Sequence, residues 1–151
     1  MSHKIEVYTD GSCRVQDPEK PGAASTIVIL NDIIIYEKAK SFNHTTNNQM
    51  ELLAPVLALI EIERLGFLNE DITIYSDSQY FINGITKWID GWIEKDFEGV
   101  KNEELWRILE AYRRENIKYK WVKGHNGNYF NEQVDKLAQN SMRRLKHENQ
   151  L

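Results

Sequence analysis

The chain has 151 residues and a mass of 17.8 kDa. That is the size of one domain, large enough to bury a core without disulfides or structural metals. Its 41% hydrophobic and 28% charged residues, with only 8 Gly and 3 Pro, exclude a collagen-like or low-complexity chain. The single cysteine, Cys13, excludes an internal disulfide and favours a reducing, cytoplasmic setting. No run of about 18 apolar residues occurs and no signal-peptide stretch precedes the first strand-like segment, so neither a membrane nor a secreted protein is expected. We expect a monomer with one domain over 1–151, its core over about 4–144 and a short C-terminal tail.

The net charge of −4 argues mildly against a nucleic-acid partner. The argument weakens if four carboxylates serve one metal site, because the remainder is then neutral and bound cations reverse the local field. Placement matters more than the sum. Residues 51–77 carry six acids and one base, whereas 118–123 carries three lysines and no acid.

Along the chain, Ile5-Glu6-Val7-Tyr8-Thr9 alternates as a half-buried strand does. Residues 23–30 are rich in β-branched side chains, and Ile33-Ile34-Ile35-Tyr36 follows a hairpin signal at Asn31-Asp32. Apolar residues at helical spacing predict a helix over 46–65, stopped by Gly66. Pro55 is awkward there, since it removes one backbone hydrogen bond; the helix either bends or starts later. A strand is expected over 71–75 and a helix over 78–88, interrupted at Gly84. A further helix is expected over 102–116 with Asn102 as N-cap. A strand over 118–122, a loop over 124–130 and a helix over 131–145 complete the pattern. Leading hairpin strands followed by strand–helix alternation imply an α/β fold with a mixed sheet and helices on its faces.

Two strand ends echo each other, Tyr8-Thr9-Asp10-Gly11-Ser12 and Tyr75-Ser76-Asp77-Ser78-Gln79. The carboxyl end of such strands is where α/β sheets bind ligands. If the strands are parallel neighbours, Asp10 and Asp77 lie side by side, and a divalent cation would relieve their repulsion. Taken singly, either Asp also fits a turn or cap, Glu51 a solvated first-turn acid and Asp135 an ordinary early-helix acid. No spacing rule makes the four converge.

The segments Thr9-Asp10-Gly11-Ser12-Cys13, Thr46-Asn47-Asn48-Gln49-Met50-Glu51, Asp77-Ser78-Gln79-Tyr80, Trp121-Val122-Lys123-Gly124-His125 and Asn131-Glu132-Gln133-Val134-Asp135 closely resemble, in order and spacing, ribonuclease H of type 1. The resemblance covers nearly the whole chain. It implies a ribonuclease H-like fold: a five-stranded mixed sheet, an antiparallel meander followed by parallel strands, flanked by helices. It implies an endoribonuclease that hydrolyses the RNA strand of an RNA–DNA hybrid with two metal ions, leaving 5′-phosphate and 3′-hydroxyl ends. The ions would be Mg²⁺, with Mn²⁺ as the alternative, held by Asp10, Glu51, Asp77 and Asp135. Asp10 would bridge them, Asp77 and Asp135 would serve the nucleophile-side ion and Glu51 the product-side ion. His125, with an ordinary pKa of about 6.5, would assist proton movement or product departure. Cys13, Thr46, Asn47, Asn48, Gln79 and Trp88 would contact the hybrid, Thr46 at a DNA phosphate and the amides in the minor groove. Trp88 and Trp92 are read equally well as a DNA-facing aromatic or a core residue.

Two stretches depart from the family pattern. The loop Arg14-Val15-Gln16-Asp17-Pro18-Glu19-Lys20-Pro21-Gly22 lacks the usual Asn that touches RNA, with Gln16 as the stand-in. Where bacterial members often carry a lysine-rich protruding loop, this chain has Ile93-Glu94-Lys95-Asp96-Phe97-Glu98-Gly99, short and acidic. Weaker and more salt-sensitive hybrid binding is therefore expected. Integrases and junction resolvases share such a carboxylate site but lack the Thr-Asn-Asn-x-Met-Glu and Val-Lys-Gly-His features. A non-enzymatic binding module would have no need of all four acids.

Overall fold

The structure, a computed structural model, describes residues 3–124 and 127–149. Strands β1 (Lys4–Cys13), β2 (Gly22–Leu30) and β3 (Ile33–Phe42) open the chain. Helix α1 (Asn47–Arg64) leads to β4 (Asp71–Ser76). Helix α2 (Gln79–Asn83), a π-helical turn (Gly84–Trp88) and α3 (Ile89–Glu94) follow as one rod. Helix α4 (Glu103–Ala111), β5 (Ile117–Trp121) and α5 (Tyr129–Asn149) complete the described residues.

The sheet order is β3-β2-β1-β4-β5. The first three strands pair antiparallel, and β4 joins β1 and β5 joins β4 in parallel. The expected mixed sheet is the observed one. Asn31 and Asp32 both take positive φ, 46° and 71°, the geometry a two-residue hairpin turn requires. The third strand runs on past Tyr36 to Phe42; the mostly polar stretch 37–41 pairs along β2 as an edge with one open face.

Alternation along the strands builds two cores. On one face Ile5, Val7, Val28, Ile72, Ile74 and Ile117 pack against Leu52, Leu59 and Ile62 of α1, Phe81 of α2, Ile85 of the π-helical turn and Trp106 of α4. On the other, Tyr8, Ile27 and Ile29 meet Val134 of α5, while Ala23 meets Ala138 and Met142. Hydroxyl donors tie α5 down: Ser25 Oγ to the Val134 carbonyl at 2.6 Å and Ser41 Oγ to the Ser141 carbonyl at 3.1 Å.

Several local expectations are corrected. Helix α1 runs unbroken from Asn47 through Pro55, so it does not start later. Its burial against β1 and β2 outweighs the one missing N–H. The α-helical pattern does break at Gly84, as expected, but into a π-helical turn that continues to α3 and carries the helical run on to Glu94. A Cβ at Gly84 would sit 2.2 Å from Cη2 of the fully buried Trp106, so glycine makes room for the indole. The Thr86 hydroxyl donates to the Ile82 carbonyl at 2.5 Å, a bond that competes with the helical N–H. The Ile89 N–H bonds the Gly84 carbonyl five residues back. Asn102 occupies the N-cap position of α4 without capping it. Its φ is 60° and its amide donates to the Tyr80 hydroxyl at 3.2 Å. That helix ends at Ala111, not at residue 116. Helix α5 starts at Tyr129, two residues early, because Asn128 Oδ1 accepts from the Asn131 N–H at 2.9 Å. It also runs past 145 to Asn149.

The 93–99 stretch is anchored rather than protruding. Asp96 and Phe97 both take positive φ, 53° and 59°, and Phe97 is buried in the main core. The Arg107 guanidinium lies 4.6 Å from the Phe97 ring centroid and donates to Asp96 Oδ1 at 2.9 Å.

Candidate active site

Pairing of β1 with β4 ends in register at Thr9 opposite Ser76. The next residue on each strand is an aspartate, so Asp10 and Asp77 emerge together at the carboxyl edge of two parallel strands. Two residues below them, Tyr8 and Tyr75 stack with centroids 4.7 Å apart and planes 12° from parallel, a rigid floor for both turns.

Glu51 arrives through Gly11. A Cβ at Gly11 would lie 2.2 Å from the Glu51 nitrogen and from the Met50 carbonyl carbon. Only glycine lets the backbone of α1 come this close to β1. At that separation the Gly11 N–H donates to Glu51 Oε1 at 2.9 Å. The N-terminus of α1 is tied to the same strand: Asn47 Oδ1 accepts the Cys13 N–H at 2.6 Å, and the Thr46 hydroxyl caps the helix by accepting the Gln49 N–H at 3.1 Å. Glu51 is only 9% exposed, so the reading of it as a solvated acid is corrected.

One carboxylate oxygen each from Asp10, Glu51 and Asp77 falls within 4.8 Å of the others. Asp135, almost two turns into α5, lies on the stripe with the buried Asn131, Ala138 and Met142 and is near enough to help raise the pKa of the Asp10 carboxyl. Three acids therefore converge, with Asp135 beside Asp10.

Their electrostatics are those of a site short of positive charge. Burial first, then Glu51, Asp77 and Asp135, push the Asp10 carboxyl far above the carboxylate range, to about 10. Burial and Asp77 raise Glu51 to about 8, against the opposing pull of the Gly11 N–H and the Ser78 hydroxyl. Asp10 Oδ2 and Glu51 Oε2 are buried without a hydrogen-bond partner. Orphaned acceptors of this kind, all hard oxygens, fit divalent cations. Among the described residues this triad is the one group of His, Cys, Asp and Glu able to share an ion, so nothing competes as a zinc site.

The other expected site residues lie around this cluster. Thr46, Asn47, Asn48 and Gln79 are exposed beside it on α1 and α2, and Cys13 is half-buried at the end of β1. Because Asn47 already spends its carbonyl oxygen on Cys13, its NH₂ is what remains to donate outward. The two tryptophans divide: Trp88 is 45% exposed, whereas Trp92 packs into the core with its ring 5.0 Å from that of Trp106. His125 lies outside the described residues. Its neighbour Gly124 is so close to Asp77 that a Cβ there would sit 2.8 Å from Asp77 Oδ2. Gln16 is exposed, and beside it Arg14 donates to Gln139 Oε1 at 3.1 Å.

Sequence reasoning missed Ser78, whose hydroxyl favours the charged form of Glu51 while accepting the Phe81 N–H at 3.1 Å. It also missed Trp121, whose indole donates to the Asp77 carbonyl at 3.1 Å. The Ser just after a strand-end Asp and just before a helix is a legible N-cap signal. Nothing in the sequence pairs Trp121 with Asp77.

Comparison with known proteins agrees with this geometry. A family model described as RNase H matches residues 2–143. Ribonuclease H of Novosphingobium aromaticivorans is 42% identical over 144 residues, 91% of this chain and 95% of its own. Ribonuclease HI of Haemophilus influenzae is 43% identical over 148 residues, 91% of this chain and 89% of its own. The crystal structure of LC9-RNase H1, a type 1 RNase H with the type 2 active-site motif, superposes with a TM-score of 0.82 at 26% identity, covering 94% of this chain and 73% of that one. A foamy viral protease-reverse transcriptase solved with an RNA/DNA hybrid shares the fold alone: TM-score 0.73 and 16% identity, over 91% of this chain and 20% of that one. With this match over nearly its whole length and four acids brought to one edge of its sheet, the chain belongs to the ribonuclease H family and is a nuclease of the hydrolase class.

Proposed function

We propose that the protein is an endoribonuclease that hydrolyses the RNA strand of RNA–DNA hybrids with two divalent cations, Mg²⁺ in the first place, leaving 5′-phosphate and 3′-hydroxyl ends. The observation that carries this reading is the meeting of Asp10, Glu51 and Asp77 within 4.8 Å, with two of their buried oxygens unpartnered. Asp10, which Glu51, Asp77 and Asp135 all act upon, would contribute to holding both ions. Asp77 and Asp135 would hold the ion on the nucleophile side and Glu51 the ion on the product side. The chemistry such a pair supplies is activation of water and neutralisation of charge on the leaving oxygen.

This chain's residues do the rest. The Gly11 N–H and the Ser78 hydroxyl hold Glu51 in its charged form once the repulsion is neutralised. The Tyr8–Tyr75 stack and the β1–β4 ladder keep Asp10 and Asp77 from swinging apart. Exposed Asn47, Asn48 and Gln79 amides line the approach and suit reading of the minor groove, where the 2′-hydroxyls of one strand distinguish RNA from DNA. Thr46 would face a DNA phosphate, with Cys13 beside it, and Trp88 offers an aromatic face to the DNA strand. His125 would move a proton or help product leave.

The test is cleavage of an end-labelled RNA–DNA hybrid by the purified chain with Mg²⁺ and with EDTA, beside duplex DNA and duplex RNA. Cleavage confined to the RNA of the hybrid and abolished by EDTA supports the reading. Cleavage of duplex DNA instead would reassign the protein to another nuclease on this fold.

A further inference from the structure

We infer that Trp121 is a positioning residue for Asp77: its indole N–H clamps the Asp77 turn from β5 and sets how well that carboxylate can serve a divalent cation. The inference rests on the functional reading above. Trp121 closes β5, directly opposite Ser76. The three residues Ser76-Asp77-Ser78 carry the β4 chain over the edge of the sheet into α2, and each is held. The Val122 N–H donates to the Ser76 carbonyl at 2.9 Å, the Ser78 N–H to Ser76 Oγ at 3.0 Å, and Trp121 Nε1 to the Asp77 carbonyl at 3.1 Å. On the far side Gly124 backs directly onto Asp77 Oδ2. The end of β5 and the residues after it thus grip both the main chain and the carboxylate of Asp77.

Packing does not account for Trp121. Its side chain is 45% exposed and joins neither sheet core. It walls a cleft of about 300 Å³ with Gln79, Ile82 and Asn83. A half-exposed tryptophan whose polar handle is spent on a metal-site backbone is a device for orientation. Phenylalanine at this position keeps the ring against the cleft and deletes the one donor.

The experiment compares the full chain with Trp121→Phe and, from the other side, Gly124→Ala. Three quantities are read: binding of Mg²⁺ alone by calorimetry, the kcat and KM for an RNA–DNA hybrid, and the melting temperature in EDTA. Loss of one neutral hydrogen bond behind a ligand weakens Mg²⁺ binding about three- to tenfold. Trp121→Phe is therefore expected to show that loss, a matching fall in kcat at subsaturating Mg²⁺, a KM within about twofold of the parent and an almost unchanged melting temperature. Gly124→Ala, which crowds Asp77 Oδ2, is expected to weaken Mg²⁺ in the same way. If the parent binds Mg²⁺ and cleaves while Trp121→Phe matches it in both, the inference is overturned alone. A rise in KM with Mg²⁺ affinity intact also overturns it, and assigns the cleft to substrate instead. A parent that neither binds Mg²⁺ nor cleaves removes the functional reading and this inference together.

Discussion

Gly11 decides how near α1 can come to β1, and through that approach whether Glu51 reaches Asp10 at all. An added methyl would meet helix backbone at 2.2 Å, which cannot yield as a flexible side chain can. Gly11→Ala is expected to lower the melting temperature and reduce hybrid cleavage at least tenfold, measured together on the purified variant. Retention of parental activity would show that the helix can retreat without losing Glu51. Asp10 has the opposite balance. Its folded-state pKa lies above the ordinary value of 3.8, and that of Glu51 above 4.5. Between those ordinary values and about pH 8 the folded chain therefore binds more protons than the unfolded one. Stability without divalent cation falls as pH rises through that window. Asp10→Asn removes the buried charge. It is expected to abolish cleavage, spare hybrid binding, and in EDTA at pH 8 gain about 1–3 kcal/mol, or about 3–10 °C in melting temperature. Its melting temperature should also vary less with pH between 5 and 8 than the parent's. An Asp10→Asn protein less stable than the parent in EDTA would mean that the carboxylates are not in conflict.

At the scale of elements, the turn between α3 and α4 is where hybrid affinity is expected to be tuned. Its acidic composition predicts weaker and more salt-sensitive binding. Counterion release supports the first half and reverses the second: a protein that neutralises fewer phosphates has a shallower dependence on salt, by about 0.9 in log–log slope for each phosphate on duplex DNA. Phe97 and Asp96 must stay, because one is core and the other pairs with Arg107. Glu94 and Glu98 are exposed at the same turn. The double variant Glu94→Lys/Glu98→Lys is expected to tighten hybrid binding and steepen the salt slope by up to about two, with little change in melting temperature. Equal affinity at low salt would place this turn away from the hybrid. The rod α2–α3 offers a stability test. Gly84→Ala drives a methyl into the Trp106 ring at 2.2 Å, and overpacking of that kind costs about 1–3 kcal/mol. Urea denaturation should show that loss; a neutral result would mean that Trp106 can repack.

Across the whole molecule, cations that bind only the folded chain should stabilise it. At a hundred times the dissociation constant the gain is about 2.7 kcal/mol, so Mg²⁺ should raise the melting temperature of the parent and leave Asp10→Asn almost unmoved. An equal shift in both would place the bound ion elsewhere. The molecule is also where local reading and observed structure part company. Ser76-Asp77-Ser78 is legible as a strand end from alternation and from the helix signal that follows, whereas Thr9-Asp10-Gly11 is only where β1 parts from β4, since β1 runs on beside β2 to Cys13. The mixed sheet is legible from the order of its elements. The sites of Glu51 and Asp135 are not, because each taken alone is an acid early in a helix, a position that suits a solvated residue as well. Trp121 is less legible still, since it stands 44 residues from Asp77 along the chain and only the pairing of β5 with β4 sets the indole over that turn.

By itself the sequence determines most of the strands and helices, the hairpin at Asn31-Asp32 and, through ordered motifs, the family. These rest on periodicity, turn chemistry and residue order, which are properties of neighbours along the chain. The tertiary structure alone decides that Asp10, Glu51 and Asp77 converge, with Asp135 beside Asp10. That outcome depends on a parallel register between β1 and β4 and on how closely a helix may approach a glycine. Repulsion among buried like charges at that point then makes the site receptive to cations, and no stretch of sequence carries such a force until folding brings the charges together.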